Sequence, residues 1–264
     1  VHVIFGILLT AVAFGVSYAV KESLLFDGLL NPAALILLAL GPLGVTMVSH
    51  PFREWGRNLS VLARAFRHNK VKSLTRAADE MGRLARAVRE SRWQDAEQVV
   101  ATAESEQVRN LAPHLLARLE PDALHEAVAS SSFGWMVEVK TADEFLQGLA
   151  RVSPAFGMIG TIMGLVDLFK NMRDSASLGP GMAMALLATL YGLILCYVFY
   201  MPLAQRVRSY LTAGAHEQRV IERALNLVMD GRSVGEIRSA VLNSAHEGKA
   251  GTFSAAPEAG APRS

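Results

Sequence analysis

The run Val152–Val166, Val-Ser-Pro-Ala-Phe-Gly-Met-Ile-Gly-Thr-Ile-Met-Gly-Leu-Val, constrains the fold of this chain more than any other stretch. It is apolar enough to enter a membrane, yet one side of it lacks bulk. At helical spacing Ser153, Gly157, Gly160, Thr161 and Gly164 share one face, while Phe156, Ile159, Met163 and Val166 share the other. A helix with a small, weakly polar stripe inside lipid lets another helix approach closely. The Thr161 hydroxyl places an oxygen where lipid offers it no partner. Pro154 opens the run, removes a backbone donor and predicts a kink or hinge.

This run lies within an apolar segment at about 149–169, and three more such segments lie at about 3–20, 29–48 and 182–201. Each is roughly 18–21 residues, close to the ~20 needed to cross ~30 Å of hydrocarbon. The first lacks a basic leader and is followed within a few residues by the second, so it is expected to be a retained helix and not a signal peptide. Hydrophobic residues make up 51% of the chain, beside 26 Lys and Arg. Gathering the former into spans and the latter into loops reconciles the two.

The flanking charges orient the spans. Basic residues crowd the stretch from Arg53 to Arg92, opposed only by Glu54, Asp79, Glu80 and Glu90; Arg206, Arg208 and Arg219 follow the fourth span. The excess of positive charge on these segments predicts that they, and both termini, face the cytoplasm. Anionic lipid headgroups also attract such juxtamembrane Arg and Lys. The expected fold is all-α: a polytopic membrane protein with four transmembrane helices in two hairpins and a helical cytoplasmic domain. The expected divisions are a first hairpin at 1–49, cytoplasmic helices at 50–146, a second hairpin at 147–205, C-terminal helices at 206–246 and a disordered tail at 247–264. Within the middle segment, Leu59, Leu62, Ala63 and Phe66 form one apolar stripe and Met81, Leu84, Ala85 and Val88 another. Pro121-Asp122 reads as a helix start and Asp230-Gly231 as a helix break.

The fourth span repeats the small stripe with Gly181, Ala185, Ala188, Thr189, Gly192 and Cys196. If the third span rises and the fourth descends, Thr161 and Thr189 lie roughly 12 Å and roughly 10 Å from their outer ends. Two hydroxyls at similar depth on slim faces suit a lined path for a small cation or proton, with Pro154 and Pro202 nearer the cytoplasm. The competing reading is packing, with each hydroxyl satisfied on the carbonyl one turn back. Neither span holds a carboxylate at mid-depth, so an ion relay needs a titratable group from a partner helix docking on the small faces. Asp167, near the outer mouth, is either a solvated interfacial acid or a residue that draws cations inward.

Other chemistries find little support. There is no Walker loop, no GxSxG and no GxGxxG opening a helix after a strand. The seven His show no metal-ligand spacing, and a lone cysteine excludes an intrachain disulfide. A net charge of +2 makes no case for a nucleic-acid partner. Neither an enzyme nor a cofactor is expected, and ions are the only cargo.

At this point the residues resemble a known family. The block Val152–Val166 is similar to the third span of flagellar stator A subunits of the MotA/PomA type, within the MotA/TolQ/ExbB group. So are Gly179-Pro-Gly-Met-Ala-Met-Ala-Leu-Leu-Ala-Thr-Leu-Tyr-Gly192 and Met201-Pro-Leu-Ala204; the resemblance extends to the four-span layout and to Asp230-Gly-Arg-Ser233, while the middle cytoplasmic segment matches only loosely. The resemblance implies an inner-membrane protein with both termini cytoplasmic, five copies of which surround two B-type, MotB/PomB-like subunits. The B-type span would supply the ion-carrying aspartate missing here, and proton or sodium flow would be turned into torque on a FliG-like rotor protein. Pro154 and Pro202 match the coupling prolines. Thr161 and Thr189 match threonines that line the ion path in sodium-driven members, with Gly157, Gly160, Gly164, Ala185, Ala188 and Gly192 on the same faces. Arg109, Arg118 and Glu120 are the nearest candidates for the rotor-contacting charges, although such charges also make an ordinary solvated face. Asp167, Gly41-Pro42 and Ala188 depart from the usual family residues.

Other classes remain. A TolQ/ExbB-like energiser of another envelope or gliding machine usually has three spans with the opposite start. A self-contained transporter would carry its own buried ionisable site and an internal repeat. A passive scaffold would be indifferent to changes at Pro154 or Thr161.

Overall fold

The computed structural model describes residues 32–117, 119–170 and 175–250. The first expected span and the last fourteen residues lie outside these. Among the described residues every regular element is a helix: α1 (Pro32–Ser49), α2 (Phe52–Arg67), α3 (Lys70–Arg89), α4 (Trp93–Ala101), α5 (Glu106–Leu116), α6 (Pro121–Lys170), α7 (Ser175–Ile194), a π-helical turn (Leu195–Tyr200), α8 (Met201–Met229) and α9 (Val234–Ala250). α9 carries helix through residue 250, past the point where a disordered tail was expected. Two stretches, Pro121–Lys170 and Gly181–Met229, are long and apolar enough to cross a membrane; α1 with α2 makes a third only as a pair bent by 109°.

Two compact units divide the chain. One holds the described residues up to Phe66 together with Glu138–Arg208; the other holds Arg67–Val137 and the described residues from Ser209 on. In the first unit, Trp55 of α2 meets Phe145 of α6 edge-to-face at 5.2 Å, and Arg64 pairs with Glu138. This docking corrects the stripe expected on α2. Leu59 and Phe66 are 67% and 42% exposed, whereas Asn58, Val61 and Ala65 are buried. The aromatic and ion-pair contacts turn the latter three inward, and the apolar stripe faces out beside Arg53 and Arg57. α6 does not stop at Pro154; it runs through it, leaving the Ala150 carbonyl without its usual donor.

The second unit has an ordinary aliphatic core. Met81, Leu84 and Ala85 of α3 are buried as expected and pack with Val108 and Leu111 of α5, Leu124 of α6, Ile221 and Leu225 of α8 and Ile237 of α9. α8 ends where Gly231 takes a φ of +67°, a conformation that costs a residue with a Cβ. Ser105 caps α5 by accepting from Val108 N–H at 3.2 Å while its own hydroxyl donates to Glu217 at 2.7 Å.

Glu217 is buried in this core and also accepts from the Ser73 hydroxyl at 2.7 Å. Burial pushes its carboxyl pKa up; the two serine hydrogen bonds pull it down, and the charges of Glu106 and Glu80 push it up again. An acid raised in the fold binds its proton more tightly folded than unfolded. The stability it contributes is therefore full below the ordinary glutamate value of 4.5 and is lost as pH rises through the raised folded value. Glu217→Gln keeps both serine contacts without the charge. Its stability relative to the native chain is expected to rise as pH rises from 5 to 8, read from thermal unfolding of the solubilised protein at both pH values. An unchanged difference between the two proteins across that range would show that the carboxyl does not titrate there.

Candidate functional site

The small faces of α6 and α7 lie against each other within the first unit. A Cβ on Gly157 would stand 3.0 Å from the Ala188 carbonyl oxygen, and one on Gly192 2.9 Å from that of Ser153. One on Gly164 would meet Ala185 N at 2.7 Å and the Gly181 carbonyl at 2.8 Å; one on Gly160 would meet the Ala188 methyl at 2.5 Å. At Gly157, Gly164 and Gly192 the neighbour is backbone and at Gly160 it is the Ala188 methyl, so the two helices approach closely along a glycine seam. The face expected to receive a partner helix is thus occupied by the other helix of the same hairpin. α1 backs the pair: Ala34, Leu38 and Ala188 are fully buried together, with Phe156 and Tyr191 packed on them.

This close approach brings the two threonines together. The Thr161 Oγ1 lies 2.5 Å from Thr189 Oγ1, 3.1 Å from the Gly157 carbonyl oxygen one turn back and 3.1 Å from the Ala185 carbonyl oxygen on α7. Two hydroxyl protons are shared among these oxygens, so acceptor capacity is left over. Hydroxyl and carbonyl oxygens are hard, neutral ligands. They suit a sodium ion or a water passing a proton, but cannot neutralise its charge. Both threonines are half-buried at the edge of the packed face, whereas Gly157, Gly160, Gly164, Ala185, Ala188 and Gly192 are buried between the helices. Outside the seam, Met158, Ile162 and Met163 of α6 and Leu186 of α7 are exposed, an apolar surface fit for lipid or a partner span.

The remaining candidates are scattered. Pro154 and Pro202 are half-buried on α6 and α8. Asp167 is exposed one turn before the end of α6. Arg109 on α5 donates to the Ala103 carbonyl at 3.5 Å, Glu120 is exposed just before α6, and Arg118 lies outside the described residues. The sequence reading passed over Asp143, a buried carboxylate on α6. Its signal was present: 143, 147, 150, 154, 157 and 161 step by four and three along one helical face.

Over 98 residues the chain is 40% identical to chemotaxis protein PomA of Vibrio alginolyticus, covering 37% of this chain and 39% of that protein. It is 37% identical over 90 residues to motility protein A of Aquifex aeolicus, covering 34% and 35%. The matched stretch thus spans little more than a third of these relatives' length. A match at 20% identity to motility protein A of Bacillus subtilis covers 90% of this chain and 87% of that one. The fold is shared with C. jejuni MotAB (TM-score 0.77, 16% identity, 92% of this chain and 94% of that one). It is also shared with the flagellar MotAB stator complex of Bacillus subtilis (TM-score 0.77, 18% identity, 95% and 98%). With the threonine hairpin and these likenesses in place, residues 95–220 match the family model described as the MotA/TolQ/ExbB proton channel family.

Proposed function

We propose that this chain is the ion-channel-forming stator subunit of a bacterial flagellar motor, converting proton or sodium flow into torque with a B-type partner. The observation that carries this reading is the pair of hydroxyls, Thr161 and Thr189, meeting at a seam of glycines with no carboxylate beside them among the described residues. An uncharged oxygen cluster can guide an ion but not carry one, which fits a machine whose ion-carrying aspartate belongs to another subunit. The names of the relatives point the same way.

In this reading the protein sits in the inner membrane with four spans and both termini cytoplasmic. Five copies surround two B-type spans, which dock at the threonine edge of the hairpin rather than on the glycine faces. The glycines set the hairpin's spacing, Thr161 and Thr189 line the path, and Pro154 and Pro202 couple flow to movement. Asp167 draws cations to the outer mouth. Arg109, Arg118 and Glu120 meet a FliG-like rotor protein. A TolQ/ExbB-like role driving another machine is the alternative within the same family.

The test is co-expression with the B-type partner in a non-motile host lacking its own stator but retaining its rotor. Swimming is expected, and its loss on removing sodium would assign the ion as sodium. A complex that assembles in the membrane and takes up ions, yet turns no compatible rotor, would move the assignment to the energiser branch.

A further inference from the structure

Within the first unit, α1 and α2 meet at a corner close to a right angle. α1 ends at Ser49, α2 begins at Phe52, and their axes are bent by 109°. Pro51 breaks the helix here, because it brings no backbone donor and disfavours helical backbone at His50. The corner is clamped. Trp55 Nε1 donates to the His50 carbonyl at 3.2 Å, and the rings of His50 and Trp55 both stand edge-on to Phe145 of α6, at 5.5 and 5.2 Å. α1 holds no charged residue over its 18 residues, and Val45, Met47 and Val48 near its end are exposed. Such a helix is roughly 27 Å long, close to the thickness of the hydrocarbon layer. α2 carries Arg53, Arg57, Arg64 and Arg67, so it does not continue that span through hydrocarbon. Connectivity and the bend hold it where hydrocarbon gives way to headgroups.

The surface of α2 divides into three stripes. Asn58, Val61 and Ala65 are buried. Phe52, Leu59 and Phe66, seven residues apart on one line, are exposed, as is Ala63 between them. Arg53 and Arg57 form the third stripe; both are exposed, and Arg57 lies 3.8 Å from Glu54, the one acid of the helix. Two phenylalanines and a leucine in a row are costly to leave in water. A second copy of this chain could cover them, but it would have to bring acids to the arginines. A bilayer of anionic phospholipid supplies both needs at this depth, with acyl chains for the apolar stripe and phosphates for the basic one. The apolar stripe also begins three residues from the exposed end of α1, so the two apolar surfaces run into each other at the corner.

We propose that α2 is an interfacial helix that binds anionic phospholipid in the leaflet where α1 ends. Phe52, Leu59 and Phe66 enter the acyl layer, and Arg53 and Arg57 hold phosphate headgroups. Through the His50, Trp55 and Phe145 clamp, this anchorage sets the height of α6 in the bilayer. The proposal rests on α1 crossing the membrane and not on the stator reading.

The test is spin labelling of the full chain, in the oligomeric form in which it leaves the membrane, reconstituted in bilayers of phosphatidylcholine with phosphatidylglycerol. Cys196 is the single cysteine, so Leu59→Cys and Ser60→Cys are each made with Cys196→Ala. A nitroxide at position 59 is expected to be reached by oxygen and shielded from a water-soluble nickel chelate. One at position 60, on the basic side, is expected to be more open to the chelate. With spin-labelled lipids, phosphatidylglycerol is expected to be immobilised by the protein in preference to phosphatidylcholine. Arg53→Gln with Arg57→Gln, both at exposed positions, is expected to lower that preference about fivefold, whereas Arg53→Lys with Arg57→Lys keeps it. A label at 59 open to the chelate would place α2 in water, and one closed to both reagents would mean that another subunit covers the stripe. Either result overturns the proposal. A lipid preference unchanged by the glutamine pair would overturn headgroup binding by these arginines. No readout requires ion flow or rotation, so the outcome is independent of which machine the chain drives.

Discussion

Gly164→Ala is expected to separate α6 from α7 and abolish motility, although it adds a single methyl group. The new Cβ would stand 2.7 Å from Ala185 N and 2.8 Å from the Gly181 carbonyl oxygen. Both neighbours are backbone, so no side chain can swing aside, and the helices themselves must move. Overpacking of this kind costs about 1–3 kcal/mol, and Gly164→Val costs more. The displacement also parts the Thr161 and Thr189 hydroxyls, which lie one turn away. The control is Gly148→Ala on the same helix. Nothing lies within 4 Å of its added Cβ, so helix propensity alone gains about 1 kcal/mol. Thermal unfolding of the purified complex, beside a swimming assay, compares the two. A Gly164→Ala protein as stable and motile as the native one would mean that the seam opens at no cost.

Thr161→Val is expected to leave the seam intact and cut ion flux. Valine matches threonine in shape, so the packing of α6 on α7 survives while the oxygen shared with Thr189, Gly157 and Ala185 disappears. A hydrogen bond to a charged species is worth about 1.5–3 kcal/mol, which corresponds to a flux about ten- to a hundredfold lower. Thr161→Ser keeps the hydroxyl and should retain most of the flux, whereas Thr189→Val should resemble Thr161→Val. Ion uptake into vesicles, measured at matched complex abundance, gives the comparison. Native flux in both valine variants would reduce the threonines to packing residues.

Much of this protein is legible along the chain because helical periodicity is a local property. The stripe of Met81, Leu84 and Ala85, the start at Pro121 and the break at Gly231 could each be read from a dozen residues. α2 shows where such reading fails. Leu59 and Phe66 look like a core face, yet Asn58, Val61 and Ala65 are the buried residues. The inward face is chosen by Phe145 and Glu138, some eighty residues away. Pro154 is similar: its missing donor was evident, but not whether the helix would break, and α6 continues through it.

The sequence by itself determined that the chain is helical, that two of its spans carry slim faces, and that each slim face bears a threonine at similar depth. Those properties follow from residue type and a 3.6-residue repeat. Only the tertiary structure decided what the slim faces touch. Gly157, Gly164 and Gly192 are spent on each other's helices, which leaves Thr161 and Thr189 half-buried at the edge of the seam, and Asp143 is drawn into the interior beside Arg208 and Gln147. Contacts of that kind depend on which backbones approach closely and which charges are taken out of water together. Both are set by residues far apart in the chain, and no local pattern records them.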